Sequence, residues 1–145
     1  MLLVASDHAG FDLKEKLKTT LDRLGVAYDD LGTHSTDSVD YPDFARRVAE
    51  AVSRGQAERG LLVCGSGQGM AMTANRYRGV RAALAFDEET ARLSREHNDA
   101  NVLALGSRVL DHELAARILA VWLATPFAGG RHQARVAKIE PPEER

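Results

Sequence analysis

The sequence predicts an α/β fold, a three-layer α/β/α sandwich in which helices cover both faces of one five-stranded parallel sheet. Two observations carry this. Five short apolar runs alternate with longer stretches of helical period, and helical crossovers between apolar strands are what set strands parallel with both faces buried. The chain has 145 residues, enough to bury one core and too few for two, and no repeat, low-complexity tract or linker interrupts it before the charged end PPEER. A single domain over 1–145 is expected, with 131–145 as a terminal helical arm.

Taken in order, Leu2 to Ala5 reads as the first buried strand. The helix after it places Leu13, Leu17, Leu21 and Leu24 on one face at steps of four, four and three, and Gly25 ends it. Val26 to Leu31 is a second, weaker strand. After a polar loop, Pro42 sits where a first helical turn tolerates it, ahead of a stripe of Phe44, Val48 and Val52. Leu61 to Cys64 is the third strand, and a glycine-rich turn leads to a helix over about Met70 to Tyr77. Val80 to Phe86 is the fourth strand. Asp87 caps the next helix, with Glu88 and Glu89 in the first turn that favours acids. Val102 to Leu105 completes the sheet. Leu114, Ile118, Val121 and Trp122 line one face of a further helix, Gly129 and Gly130 break it, and Arg131 to Ile139 forms the arm. In such a Rossmann-like sheet ligands bind beyond the carboxyl ends of the strands, so chemistry is sought at Asp7 and His8, at Cys64 to Gly69, and at Ser107 and Arg108.

Bulk composition narrows the function classes. With 44% hydrophobic residues, 28% charged residues and a net charge of −2, the chain has no overall basic field to attract nucleic acid, so an anion site must be built locally. No apolar run approaches the roughly 20 residues of a membrane span. The start MLLVASDHAG lacks a basic n-region and a cleavage site, and a cytoplasmic location is expected. One cysteine makes no internal disulfide and has no zinc partners, which leaves Cys64 as an inert core thiol or a reactive one.

The segment LLVCGSGQGM puts that thiol at a strand end and follows it with Gly65, Gly67 and Gly69 before a helix. A turn of this kind aims backbone N–H groups at one point and suits an anion, though it lacks the GK[ST] ending of a phosphate loop and the dinucleotide spacing. The same turn favours the thiolate, which is a usable general base. Arg131 and Arg135 in GGRHQAR stand four apart and share a helix face, where they repel unless an anion lies between them. A phosphate would supply it, and a plain solvated basic face is the alternative. Arg108 and His8 are further candidates for that pocket. Neither Glu96-His97-Asn98-Asp99 nor Asp7-His8 has the spacing of a metal site, so no metal is expected.

Together ASDHAGFDLK, DYPDFA, LLVCGSGQGM, ANRYRGVRAAL, SREHNDANVLALGSRV and GGRHQARV, in order and nearly end to end, resemble the type B ribose-5-phosphate isomerases and the related galactose-6-phosphate isomerase subunits. The resemblance implies a five-stranded parallel sandwich acting as a homodimer without metal or organic cofactor. It implies that Cys64 is the base that moves a proton between C2 and C1 of ribose 5-phosphate, giving ribulose 5-phosphate. Gly65, Gly67 and Gly69 would then offer backbone donors to the enediolate oxygen with help from Asn98, and Ser66, Asp7 and His97 would open the furanose ring. Tyr41 matches a residue lining the sugar, and His8, Arg108, Arg131 and Arg135 match positions that bind or flank the phosphate. Many relatives carry threonine at the position of Ser66, and one branch replaces the cysteine by a glutamate at the position of Met70, so the chain falls in the cysteine branch.

Right-handed βαβ connection puts His97 and Asn98, at a helix end before the fifth strand, near the amino edge of their own sheet and opposite Cys64. They are therefore expected to serve a partner protomer's site in an isologous dimer, with the arm packed on the partner and a tetramer as a further possibility. The rivals are the same chemistry on allose or galactose 6-phosphate, a non-catalytic phosphosugar-binding module, and a thiol redox sensor, which would lack a resolving cysteine.

Overall fold

The computed structural model describes residues 1–143 and shows the expected alternation, so the last two residues of the arm, 144 and 145, lie outside the described residues. Eleven elements follow one another: β1 (Leu2–Ser6), α1 (Phe11–Leu24), β2 (Tyr28–Asp30), α2 (Tyr41–Ser53), β3 (Arg59–Cys64), α3 (Gln68–Ala74), β4 (Ala82–Leu84), α4 (Glu88–Glu96), β5 (Val102–Gly106), α5 (His112–Ala124) and α6 (Arg131–Ala137). All strand pairs are parallel, in the order β2-β1-β3-β5-β4.

Because strand side chains alternate between faces, each central strand feeds two cores. Val4, Leu61, Val63, Leu103 and Leu105 face α1, α4 and α5, where Leu13, Leu17, Leu21, Ala91, Ile118, Leu119 and Trp122 meet them. Ala5, Leu62, Cys64, Val102 and Ala104 face α2 and α3, against Val48, Met70 and Ala74. Each leucine fully buried in this way contributes about 1.5–3 kcal/mol.

Differences from the sequence reading fall at element ends. Both outer strands are shorter than the apolar runs suggested, since β2 covers Tyr28–Asp30 and β4 only Ala82–Leu84; an edge strand pairs on one side and its flanks are free to leave the sheet. Helix α3 begins at Gln68, two residues early, because Ser66 Oγ accepts the Gln68 N–H at 3.2 Å and the turn closes there. It ends at Ala74, where Asn75 turns to exchange two hydrogen bonds with Ala82 of β4. Leu24 is exposed although it continues the apolar spacing of α1, because Gly25 takes the left-handed conformation immediately after it and carries the chain away. Asp87 caps α4 as expected, accepting the Thr90 N–H.

Sheet order positions the site. From β1 the chain moves outward to β2, then returns past β1 to β3 on its other side, so the crevice where order reverses opens between the carboxyl ends of β1 and β3. Asp7 and His8 leave β1 there, and Cys64 ends β3.

Candidate active site

At that switch point lies a cavity of about 470 Å³ lined by Asp7, His8, Tyr41, Cys64, Ser66 and Arg108, with Gly65 and Gly69 in its wall. Cys64 is 4% exposed and, though part of the core beneath, is one of the residues lining this cavity. Its Sγ accepts the Gly67 N–H at 3.2 Å, a contact that strengthens when the thiol is ionised. Gly67 can aim that N–H inward because it holds φ at +79°, a conformation costly for residues with a Cβ, and because a Cβ there would stand 2.5 Å from Leu84 Cδ1. Neighbouring backbone ties the turn down: Ser107 N–H donates to the Cys64 carbonyl at 2.8 Å, and Arg108 N–H to the Gly65 carbonyl at 2.9 Å.

Around the sulfur the walls are set by close packing. The Tyr41 ring lies so near Gly69 that a Cβ would meet it at 2.6 Å, and the Arg108 side chain passes over Gly65. Asp7, 6% exposed, accepts the Gly10 N–H at 2.9 Å and so keeps its carboxylate directed at the start of α1. His8 Nδ1 accepts the Val39 N–H at 3.1 Å, which fixes the neutral tautomer carrying hydrogen on Nε2. Ser107 Oγ donates to the Ala9 carbonyl at 2.8 Å and joins the loops after β1 and β5.

The remaining candidates stand elsewhere. His97 is the C-cap of α4, at the amino edge of the sheet. Asn98 lines a separate cavity of about 380 Å³ with Arg81, Ser94 and Glu140. Helix α6 packs at the same edge through the His132 ring, which stacks on His97 with centroids 4.3 Å apart, and through Ala128 N–H, which donates to the Glu96 carbonyl at 3.0 Å. Arg131 and Arg135 thus belong with His97. The sequence reading that joined them to Arg108 and His8 in one pocket does not hold within a single chain, because the sheet stands between. Partial burial, then His97, Arg131 and Arg135, hold the His132 ring below its ordinary histidine range. Among the described residues Arg108, Arg131 and Arg135 form no ion pair. No three His, Cys, Asp or Glu side chains among the described residues are grouped as a metal site would need.

Residues 2–139 match the family model described as ribose/galactose isomerase. The chain belongs to the ribose/galactose isomerase family. Ribose-5-phosphate isomerase B of Escherichia coli is 46% identical over 96% of this chain and 93% of its own. A ribose 5-phosphate isomerase structure from Thermotoga maritima superposes with a TM-score of 0.92 at 50% identity, covering 95% of both chains. The Clostridium thermocellum ribose-5-phosphate isomerase B structure gives 0.93 at 48% identity, over 95% of this chain and 93% of that one. The three-layer fold with its five-stranded parallel sheet is the fold of these isomerases.

Several residues that shape this candidate site were not singled out in the sequence. Val39 acts through its backbone N–H, for which side-chain pattern holds no signal. Lys14, fully buried, donates to Asp30 Oδ1 at 2.7 Å and to the Thr33 carbonyl at 2.5 Å, anchoring the loop that carries Val39. Its signal was available: a lysine among the leucines of α1 on a buried face demands a partner. Burial alone would raise the Asp30 carboxyl, but hydrogen bonds from Lys14, Gly32 N–H and Lys18 outweigh it and hold Asp30 below the usual carboxylate range.

Proposed function

We propose that this chain interconverts D-ribose 5-phosphate and D-ribulose 5-phosphate through an enediolate, with Cys64 as the base. The observation that carries the reading is a cysteine whose sulfur receives a main-chain N–H and which lines a cavity together with Asp7, His8, Tyr41, Ser66 and Arg108. The thiolate takes the proton from C2 and returns it to C1, while the hydroxyl proton on O2 passes to O1. Main-chain amides of Gly65, Gly67 and Gly69 face the developing oxyanion, where preorganised donors are most effective. Asp7 and Ser66 assist opening of the furanose ring, Tyr41 lines the sugar, and His8 and Arg108 hold the phosphate. The chemistry requires neither a metal nor an organic cofactor.

The site is completed by a second copy of the chain, which brings His97 to ring opening, Asn98 to the enediolate, and Arg131 and Arg135 to the phosphate. Support comes from the separation of the two groups to opposite sheet edges and from the three arginines forming no ion pair among the described residues. The cavity mouth is also rimmed by exposed Tyr41, Met72 and Val109, apolar surface suited to contact with a partner. The homodimer is the working unit, a cytoplasmic enzyme of pentose phosphate metabolism.

The test assays purified protein against ribose 5-phosphate, allose 6-phosphate and galactose 6-phosphate, with and without chelator, beside Cys64→Ser. Turnover is expected to be greatest on ribose 5-phosphate, unaffected by chelator, and lowered about 10²–10⁴-fold in the variant, the span of general base catalysis. Wild-type turnover by Cys64→Ser rejects the cysteine base, and binding without turnover of any of the three sugars rejects the isomerase.

A further inference from the structure

Between α4 and β5 the chain must turn sharply within Glu96-His97-Asn98-Asp99, and the turn is held from outside by two arginines. Arg95, 4% exposed, donates from Nη1 to Asp99 Oδ1 at 2.9 Å and to the Ala100 carbonyl at 2.7 Å, and from Nε to the Thr125 carbonyl at 3.1 Å. Its guanidinium carbon stands 5.9 Å from the Trp122 ring centroid in α5. Arg81 approaches the same residue from the β4 side, its Nε donating to the Asp99 carbonyl at 2.9 Å and its Nη2 lying 3.5 Å from Asp99 Oδ2. Asp99 itself has φ +50°, the left-handed region that only glycine, asparagine and aspartate enter readily, and among the described residues it is the sole non-glycine with positive φ. A glycine would make that turn at less cost. The aspartate adds a handle that both arginines grip.

We propose that Arg95 and Asp99 are positioning residues whose side-chain hydrogen bond, closing the left-handed turn, fixes the direction in which His97 and Asn98 leave α4. Strained backbone persists where surrounding contacts over-determine it, and the two residues just before Asp99 are those assigned to the partner's site. Arg95 also reaches the Thr125 carbonyl, from which the chain runs to α6, so one buried guanidinium sets the spacing between His97 and the arm that bears Arg131 and Arg135. The two parts of the half-site are presented as one rigid unit. This rests on the reading of His97 and Asn98 as active-site residues of the second protomer.

The experiment compares Asp99→Asn, Asp99→Gly, Asp99→Val and His97→Ala in the intact dimer, measuring kcat and KM on ribose 5-phosphate, the thermal midpoint, and the histidine ring-proton NMR shifts that report stacking of His97 on His132. Asp99→Asn keeps the left-handed turn and an oxygen for Arg95, so kcat within a few-fold of wild type and unmoved His97 signals are expected. Asp99→Gly keeps the turn without the handle, and Asp99→Val loses both. Each is expected to shift the His97 signals and lower kcat, towards about 10²-fold for the valine, the cost of misplacing a catalytic group by about an ångström. KM should change far less. Wild-type kcat and unmoved His97 signals in Asp99→Gly overturn the proposal, and this variant decides even if the valine does not fold. Full activity of His97→Ala would instead reject the role given to His97, leaving the NMR shifts to decide the positioning on their own.

Discussion

Cys64 and His8 illustrate how single backbone donors set the state of side chains in the candidate site. The Gly67 N–H supplies positive potential beside the sulfur, and the Val39 N–H occupies His8 Nδ1, so one residue accepts more readily as an anion and the other offers hydrogen only from Nε2. A neutral ring donating one hydrogen bond suits a phosphate oxygen without adding a second cation beside Arg108. Nitrogen-15 NMR of the histidine side chains is expected to show His8 as the Nε2–H tautomer. Finding hydrogen on Nδ1 of the free protein would rule out the Val39 contact and the donor role built on it.

At the level of elements, α6 is held to the body of the molecule by little apolar burial. None of its residues is buried; the helix itself is anchored through one ring stacked on another beside two like charges, and just beyond it Glu140 accepts the Gly79 N–H at 2.6 Å. The His132 ring is held below the ordinary 6.5 by partial burial and by His97, Arg131 and Arg135. A base with a depressed folded value favours folding when neutral, so its contribution is complete above 6.5 and is lost as pH falls through the lowered value. Docking of α6 is accordingly expected to loosen below pH 6.5, read as loss of the stacking shift of His97 and His132 while the ring signals of Trp122 stay in place. A stack that persists at pH 5 would show that protonation of His132 does not oppose docking.

For the whole molecule, strand order puts the two groups of the proposed site at opposite edges of one chain. His97 and Cys64 lie at opposite edges of the same sheet, and no hinge within a packed three-layer domain brings them together. In the proposed dimer an isologous contact between two copies would serve both sites at once. Mixing inactive Cys64→Ala with inactive His97→Ala under exchange conditions is expected to restore turnover: each mixed dimer holds one intact site, and random pairing yields about a quarter of the wild-type rate. No recovery, with exchange verified, would place both residues in one site of one chain. Among the described residues no helix is long and apolar enough to cross a membrane.

Much of this was legible in the sequence because buried strands and amphipathic helices leave their period in the residues. The five apolar runs, the leucines of α1, the Asp87 cap and the glycines around Cys64 needed no coordinates, since each is a local consequence of spacing or backbone freedom. Local pattern also sufficed to put His97 at a helix end on the far side of the sheet from Cys64. What only the tertiary structure decided depends on groups distant in sequence that meet through folding: Val39 N–H on His8, the Tyr41 ring over Gly69, Lys14 of α1 on Asp30 and the Thr33 carbonyl, and two arginines closing on Asp99. Main-chain donors and buried charges carry no periodicity, so their partners emerge only when the elements are packed.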